Sequence, residues 1–414
     1  MNQQTSKKNI FTFFRDFLRW STTGSLKYHL WMALLTLLMA VGTYAYTLQI
    51  RKGLVVTGMT DYVNWGLYIS NFTFLVGIAA ASVMLVLPAY ILGDVDFAKA
   101  VLIGEGLAVT ALIMCLAFVT VDLGGPHRIW HMIPKIGYFN WPMSMLAWDV
   151  VVLNGYLALN LLIPFYILFC HYKGQKPDPK KYVPFVILSV FWAVSIHMVT
   201  AFLYAGLPSR PYWNNSLLGP RFLASAFAAG PALMILILTF INDRTTFHIE
   251  GKTINKLALV VTVAAQINLV MLGSEFFKEF YSPTHHSISA TYLFFGLDGH
   301  YALVPAIWTS IVLNVIATLF LTFHKTRNNR NFLLFSCILL FVAVWLEKGM
   351  GLVIPGFIPS PLGEIVDYFP TWVEICVMIG VWALGAFVFT LLIKAAIRIE
   401  HTYETKYKKE QKEQ

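Results

Sequence analysis

Long apolar blocks recur along this chain, and they constrain its fold more than any other feature. Each block runs for about 20 residues or more, the length an α-helix needs to cross the hydrocarbon core of a bilayer. Hydrophobic residues make up 57% of the 414 residues, and charged residues only 12%. A membrane β-barrel would instead show alternating segments of about ten residues. The sequence therefore predicts an all-α integral membrane protein with ten transmembrane helices, at 28–50, 65–92, 99–122, 142–170, 182–205, 219–242, 255–277, 299–324, 332–350 and 371–396.

The basic residues indicate which way the predicted helices run. Of the 30 Lys and Arg residues, 22 fall on the side that holds both termini and 8 on the opposite side. Because cytoplasmic loops of membrane proteins are enriched in Lys and Arg, we expect a multi-pass protein of the cytoplasmic membrane with both termini in the cytoplasm. This topology also accounts for the net charge of +9, which therefore gives no evidence for nucleic-acid binding.

The two ends of the chain differ from its apolar middle. We divide it into a cytoplasmic N-terminal segment at 1–27, a transmembrane domain at 28–398 and a charged cytoplasmic tail at 399–414. The N-terminal segment lacks the continuous apolar core and the cleavage site of a signal peptide. Apolar side chains among its Lys and Arg residues predict a short helix lying on the membrane surface. These side chains are Phe11, Phe13, Phe14, Phe17, Leu18 and Trp20.

A short internal repeat predicts how the helices are grouped. FLVGIAAAS at 74–82 and FLASAFAAG at 222–230 share a Phe, a Leu and two Ala at matching positions. Small residues at this density allow helices to approach closely. We expect two four-helix bundles, made of the second to fifth and the sixth to ninth helices, with the first and tenth helices flanking them.

The four cysteines give no sign of a metal or cofactor site. Each lies in or at the end of an apolar run, and none belongs to a CxxC pair, so we interpret them as small core residues. The sequence has no pattern typical of an iron–sulfur cluster, a c-type haem or a zinc site. They are Cys115, Cys170, Cys337 and Cys376.

Ionisable side chains inside the predicted helices gather towards the outer membrane surface. A charge in hydrocarbon is costly unless it is paired, neutralised or hydrated, and it therefore marks a candidate functional residue. Interfacial side chains that extend to water are the ordinary alternative, but Asp149 and His197 are too short to reach water from their depth. Glu105 lies deep in the cytoplasmic half. The other charged residues near the outer surface are Asp122, Glu275, Glu347, Lys348 and Glu374.

His127 and Asp149 flank one outer loop that is rich in aromatic residues. A quinone needs a flat apolar slot, a donor for each carbonyl and bases that accept the protons of the quinol, roles that His and Asp fill. The pair therefore predicts a quinone site, with capping of a helix or headgroup binding as the alternative role of His127. Two other hypotheses stay open: a b-type haem held by His197 with His127 or His131, and secondary transport.

Four stretches of the chain resemble the NrfD/polysulfide-reductase (PsrC) membrane subunit family. They are NWGLYISNFTFLVGIAAAS from residue 64, VDLGGPHRIW from 121, SMLAWDVV from 144 and LEKGMGLVIPGFIPSPLGE from 346. The ten-span form with this last loop is similar to DsrP-type subunits of DsrMKJOP complexes, with HmcC and ActC/ActF as near relatives. The resemblance implies a subunit without haem or iron–sulfur cluster, not catalytic alone, that serves sulfur metabolism in anaerobic respiration.

In this family the membrane subunit exchanges electrons between menaquinone, or another quinone, and an extracytoplasmic ferredoxin-like iron–sulfur subunit. The resemblance implies a quinone site built on a His and an Asp, which match His127 of the PHR motif and Asp149 of the AWD motif. His131 is the alternative His. We expect the site to include also Asp122, Arg128 and His197, and proton transfer to use Glu105, Glu275 and Glu347.

The resemblance to DsrMKJOP-type subunits also implies partners. They would be a DsrO-like extracytoplasmic iron–sulfur protein, a DsrJ-like cytochrome c, a DsrM-like haem b membrane subunit and a DsrK-like cytoplasmic iron–sulfur subunit. The chain would lie in the lipid bilayer among them.

Overall fold

Ten helices in the described residues are long and apolar enough to cross a membrane, which confirms the predicted count and the all-α class. The computed structural model describes residues 8–80, 82–91, 93, 95–245, 247, 249–281 and 287–413, with the backbone alone at 91, 95, 96 and 406–413. We number these helices as spans 1 to 10: Leu26–Lys52, Leu67–Tyr90, Phe97–Asp122, Met145–Lys173, Pro179–Ala205, Leu218–Arg244, Gly251–Tyr281, Val304–Thr322, Arg330–Phe357 and Trp372–Thr405.

Short polar side chains begin several of the spans. Ser25, Ser144, Asp178 and Asn329 precede spans 1, 4, 5 and 9, and each accepts a hydrogen bond from a backbone amide of the first turn. Such N-caps satisfy amide groups that have no partner inside the helix. Gly174 ends span 4 in the left-handed conformation, with φ of 74°, which glycine adopts without a steric penalty.

Spans 2–5 form one four-helix bundle and spans 6–9 form another, as the repeat predicts. In the first bundle, spans 2 and 4 each pack on spans 3 and 5. In the second, spans 6 and 8 each pack on spans 7 and 9. Between the bundles, span 2 contacts spans 6 and 9, and span 6 contacts spans 2 and 5. If span 2 is exchanged with span 6 and span 5 with span 9, the same set of contacts results. The two bundles are therefore related by an approximate two-fold axis.

Spans 1 and 10 pack against each other beside the first bundle, and span 10 also packs on spans 3 and 4. Their backbones touch where Gly42 meets Gly380. A Cβ atom added at Gly42 would lie 2.6 Å from Cα of Gly380, so a larger residue at either position would push the helices apart.

The N-terminal helix, Ile10–Thr22, begins with a capping box at Asn9. It packs on span 10 and on the end of span 4. The ring of Phe13 meets the rings of Phe165 and Tyr172 edge to face, at centroid distances of 5.5 and 5.4 Å. The predicted N-terminal helix is therefore present, and its position on the membrane surface stays a prediction.

The molecule has two ends, which we call the terminus side and the distal side. On the terminus side the end of span 10 meets the start of span 3, where Lys99 Nζ lies 3.0 Å from Glu404 Oε1. The distal side holds the connections after spans 1, 3, 5, 7 and 9. There the hydroxyl of Thr371 donates to the carbonyl of Val56 at 3.0 Å. The prediction that the terminus side faces the cytoplasm stays a prediction.

Span 9 runs on to Phe357, beyond the end predicted at residue 350. The extension consists of a short helical segment, Gly351–Val353, and a 3-10 turn, Pro355–Phe357. Glu347 and Lys348 lie in the π-helical segment before it, Leu346–Met350, and so are inside the span and not at its end. The prediction stopped early because charged residues are expensive in lipid and usually mark the end of a span, whereas here they face protein. A short helix at Ile288–Phe295, before span 8, was also not predicted.

Candidate functional site

Asp149 is buried between spans 4 and 5. It lies five residues after the Ser144 cap, in the second turn of span 4, and the residue is only 2% exposed. The hydroxyl of Thr200, on span 5, lies 3.0 Å from Asp149 Oδ1 and 2.8 Å from the carbonyl of Ile196. Because a hydroxyl has one proton and two lone pairs, Thr200 can donate to an ionised Asp149. It can also accept from a protonated Asp149 while donating to Ile196.

His197 lies one turn before Thr200 on the same helix and is fully buried. Its Nδ1 is 2.9 Å from the carbonyl oxygen of Ala193. A carbonyl only accepts, so Nδ1 carries a proton, and in the neutral ring Nε2 is left with a free lone pair. Nε2 has no hydrogen-bond partner in the part of the chain that the structure describes. The ring therefore presents an available base or acceptor inside the protein.

An aromatic cluster covers the distal end of the contact between the two bundles. It connects Tyr204 of span 5, Trp213 of the following connection and Phe357 of span 9, and it also contains Trp65 and Phe222. Neighbouring ring centroids are 5.0 to 6.1 Å apart.

Polar groups fix this aromatic cluster in place. The hydroxyls of Tyr204 and Thr73 are 2.5 Å apart. Arg210, between spans 5 and 6, lies 5.1 Å above the ring of Phe357 and donates to its carbonyl at 3.2 Å. Burial lowers the pKa of Arg210 below its ordinary value.

The loop between spans 3 and 4 carries the other predicted site residues. His127, Arg128 and His131 lie on a 3-10 helix, Pro126–Met132, and all three are at the surface. The rings of Trp130 and His131 stack at 3.9 Å. Neither His127 nor His131 makes a hydrogen bond to Asp149 within the described residues. The structure thus brings Asp149 and His197 to neighbouring buried helices and leaves the loop residues at the surface.

Asp122 is the last residue of span 3 and lies near a second set of polar side chains on the distal side. Its Oδ1 is buried and has no hydrogen-bond partner among the described residues. Nearby, Tyr68 donates to Gln49 Oε1 at 2.8 Å, and Gln49 Nε2 donates to the carbonyl of Val121 at 2.6 Å. An unpaired buried carboxyl oxygen is rare in folded proteins and indicates a functional role or an ordered water.

Glu374, also predicted as a charged residue near this surface, is explained by capping. Its carboxylate accepts from the amides of Thr371 and Gly58 at 2.9 and 2.6 Å and from the hydroxyl of Tyr368 at 2.5 Å. The Thr371–Glu374 pair forms the capping box of span 10. Burial and the neighbouring Glu374 raise the pKa of Tyr368 well above its ordinary value.

The second bundle holds an ion network near its distal end. Arg221 of span 6 pairs with Glu275 of span 7, and its Nη2 donates to Glu347 Oε1 of span 9 at 2.9 Å. Asn314 of span 8 donates to the other oxygen of Glu347 at 2.9 Å. Both acidic residues predicted for proton transfer in this bundle therefore share one cation. Asn215 completes the network by donating to Glu275 at 3.4 Å.

Below this network, several buried polar atoms have no protein partner in the described residues. They are both side-chain atoms of Asn268, Oδ1 of Asn314 and Oγ1 of Thr318. Asn268 lies on span 7, and the other two lie on span 8. Buried polar groups without protein partners usually bind ordered water, so the interior of the second bundle is suited to hold water.

Glu105 lies in the half of the first bundle nearer the terminus side, apart from the residues above. It is 1% exposed, and Tyr90 of span 2 donates to its Oε2 at 3.2 Å. Tyr156 of span 4 and Ser82 of span 2 are joined at 3.0 Å. At the terminus side, His171 Nδ1 and Glu400 Oε1 are 2.5 Å apart. These polar pairs lie at separate positions along the first bundle.

Metal-binding clusters and disulfides are absent from the described residues. No group of three or more His, Cys, Asp or Glu side chains there is arranged to hold a metal ion, and all four cysteines are free. An apolar cavity of about 200 Å³ lies between the N-terminal helix and spans 3, 4 and 10.

Sequence reasoning missed several residues of these sites. Thr200 and Tyr204 gave no signal, because Thr and Tyr are ordinary in membrane helices. Arg221 was counted among the basic residues of the outer surface, although a charged residue just inside an apolar run is itself a signal of pairing.

Comparison with known proteins shows that the chain is similar to subunits of several oxidoreductases. The chain is 24% identical over 386 residues to the Hdr-like menaquinol oxidoreductase integral membrane subunit of Archaeoglobus fulgidus, covering 89% of this chain and 93% of that protein. It is 25% identical to a selenate reductase subunit of Mesobacillus selenatarsenatis over 62% of this chain and 66% of that protein. It is 23% identical to a putative dimethyl sulfoxide reductase membrane subunit of Halobacterium salinarum, over 89% and 90%.

A protein-family model also matches this chain. The model described as polysulphide reductase, NrfD, matches residues 55–358, which extend from just before span 2 to the end of span 9. The match covers both four-helix bundles, and of the buried groups described in this section Gln49, Tyr368 and Glu374 lie outside it. With its ten apolar helices, this chain is a multi-pass membrane protein that belongs to the NrfD polysulphide reductase family.

Proposed function

We propose that this chain is the quinone-binding membrane subunit of a multi-subunit oxidoreductase. The names of its relatives support this proposal, since one is a subunit of a menaquinol oxidoreductase and the other two belong to a selenate reductase and a putative dimethyl sulfoxide reductase. We propose menaquinone as the quinone. The electrons would pass between it and an iron–sulfur partner docked on the distal side.

The observation that carries the proposal is the pair of buried proton-accepting groups on spans 4 and 5. Oxidation of a quinol to a quinone releases two electrons and two protons, so the site needs two bases and an electron acceptor. His197 Nε2 is buried with no described partner, and Asp149 has a hydroxyl partner that suits both of its protonation states. The electrons would leave to the partner's cluster, because we expect no redox centre in this chain.

The exposed loop between spans 3 and 4 has a proposed role at the mouth of this site. We propose that His127 and Arg128 donate hydrogen bonds to the quinone carbonyl nearer the distal surface. His131 is the alternative to His127. Asp122 would accept a proton at the end of span 3. Closure of the loop over the ring would be needed, because these side chains lie at the surface and do not reach Asp149.

Proton movement is the proposed role of the remaining acidic residues. Glu105 has the Tyr90 hydroxyl as its partner on the terminus half, while Glu275 and Glu347 share Arg221 on the distal half. Buried carboxyl groups with hydrogen-bonding neighbours are the usual components of proton relays in membranes. The unpartnered Asn268 supports water-mediated steps between them in the second bundle.

A DsrMKJOP-like complex is the specific assembly that we propose. It would supply a DsrO-like iron–sulfur protein on the extracytoplasmic distal side, together with DsrJ-like, DsrM-like and DsrK-like subunits. Both termini would then face the cytoplasm. Support comes from the 22 basic residues predicted on the terminus side.

The experiment compares quinol-dependent electron transfer in purified complexes that carry Asp149→Asn or Asn154→Ala. Asn154 is exposed on the same helix, so its variant is the matched control. Loss of a proton acceptor should slow turnover by about 100-fold or more, with assembly of the complex unchanged. Full turnover of the Asp149→Asn complex would contradict the site.

A further inference from the structure

Lys348 is a buried cation at the contact between the two bundles. The residue is 5% exposed and lies in the π-helical segment of span 9. Its ammonium donates to the carbonyl of Phe222 at 3.1 Å and lies 4.1 Å above the ring of the same residue. No carboxylate within the described residues lies within 4.0 Å of it to form a salt bridge. A buried ammonium without an ion partner is costly, and such residues are usually kept for function.

The ammonium of Lys348 reaches the first bundle. A Cβ atom added to Gly77 of span 2 would lie 3.4 Å from Lys348 Nζ and 3.4 Å from Cβ of Ala226 on span 6. Because Gly77 has no side chain, there is room for the ammonium of Lys348 between spans 2 and 6. In the internal repeat, Gly77 of span 2 aligns with Ser225 of span 6. Ser225 and Lys348 both line one small cavity in the second bundle.

Lys348 and His197 lie in equivalent spans of the two bundles. Each is the nineteenth residue of its span, span 9 for Lys348 and span 5 for His197. Span 9 contacts span 2 and span 5 contacts span 6, which are equivalent contacts between the bundles. Both nitrogen-bearing side chains therefore lie buried on helices that form the contact between the bundles.

On its other side, Lys348 meets the ion network of the second bundle. Arg221, Glu347 and Lys348 line one small cavity of about 10 Å³, which is near the size that one water molecule needs. A chain of neighbours thus runs from the carboxylates of the second bundle through Lys348 to Gly77 on span 2 of the first bundle.

We infer that Lys348 is a positioning residue that couples the two bundles, so that the charge state of the Glu275–Arg221–Glu347 network changes quinone binding in the first bundle. This inference rests on the proposed quinone site. The flexible stem of Lys348 lets the ammonium shift between the cavity it shares with Glu347 and the gap beside Gly77. Each position places the positive charge at a different distance from His197.

The test is a double-mutant cycle in the purified complex, with affinity for a fluorescent quinol analogue as the readout. Glu347→Gln should change the dissociation constant at least about fivefold when Lys348 is present. In the Lys348→Met background the same substitution should change it less than about twofold. Lys348→Arg keeps the charge and should restore much of the coupling. An equal effect of Glu347→Gln in both backgrounds would overturn the inference.

Controls separate this result from misfolding and from failure of the proposed function. Lys278→Met removes a half-exposed cation from span 7 and should leave the cycle unchanged. Gly77→Ala adds a methyl group 3.4 Å from the ammonium and should weaken the coupling even if Lys348→Met does not assemble. Unchanged coupling in Gly77→Ala would count against the inference. Absence of saturable analogue binding in the unmodified complex would overturn the proposed function, and this inference with it.

Discussion

The hydroxyl of Thr200 lies 3.0 Å from Oδ1 of Asp149 and joins spans 4 and 5 where both residues are buried. The same hydroxyl lies 2.8 Å from the carbonyl of Ile196. Its single proton can face either oxygen, so the carboxyl group gains or loses a proton without losing its partner. A buried acid with such a partner can change charge without a rearrangement of the helices around it.

Thr200→Val tests this relationship through stability. The substitution keeps the shape of the side chain but leaves Asp149 without its hydroxyl partner. We expect the free energy of unfolding to fall by about 1–3 kcal/mol, measured as a lower thermal unfolding temperature in detergent. Thr200→Ser restores the hydroxyl and should regain most of the loss. Equal unfolding temperatures for the Val variant and the unmodified protein would show that the hydrogen bond contributes nothing.

Arg221→Met tests the ion network of the second bundle. The substitution leaves Glu275 and Glu347 buried near each other without their shared cation. We expect the protein to lose about 3–5 kcal/mol of stability, because an uncompensated buried charge is strongly unfavourable. Adding Glu275→Gln and Glu347→Gln to Arg221→Met should recover part of this loss in the same unfolding measurement. A triple variant as unstable as Arg221→Met would contradict the pairing.

Gly380→Leu tests the contact between spans 1 and 10. A side chain at this position would meet the backbone of Gly42, since a Cβ there already lies 2.8 Å from Gly42 Cα. We expect a loss of about 1–3 kcal/mol from overpacking. Gly273→Ala is the control, because a Cβ at Gly273 meets nothing within 4 Å. Unfolding temperatures that rank the two variants in the opposite order would refute this contact.

Asp16 gives a pH-dependent prediction at the terminus side. Tyr172 donates to Asp16 Oδ2 at 2.7 Å and lowers the pKa of Asp16 below its ordinary value of 3.8. A lowered pKa means that the contact stabilises the N-terminal helix above pH 3.8 and is lost as the pH falls through the pKa of the folded protein. At pH 7, Asp16→Asn should increase hydrogen exchange in Ile10–Thr22. At strongly acidic pH, hydrogen exchange in this helix should be equally fast in the unmodified protein and in the Asp16→Asn variant. A difference in exchange rate that stays the same at every pH would contradict the contact.

The sequence predicted the framework of the fold because membrane helices have a length set by the bilayer. The helix count and the two bundles followed from apolar block length and from the match between Phe74 and Phe222. The end of span 9 did not follow, because Glu347 and Lys348 are charged and the pairing that permits their burial comes from distant Arg221 and Phe222. Tertiary partners of this kind leave no local pattern.

The candidate site was predicted only in part, for a related reason. Depth along the helix predicted the burial of Asp149 and His197, since depth follows from counting residues along a span. Thr200 gave no signal, because its importance comes from facing Asp149 on another helix. The position of His127 depended on the path of a loop rich in Pro and Gly, and that path is not set by any periodic pattern. The structure leaves His127 at the surface on this loop.

Photolabelling with an azido-quinone tests the central claim most directly. The complex is irradiated with the probe, and the labelled peptides are mapped by mass spectrometry, with excess unlabelled quinone as the competitor. The account predicts competed labels on spans 4 and 5 around Asp149 and His197, together with the loop that holds His127. Competed labels confined to other regions, such as the cavity beside Phe13 and Gly106, would contradict it.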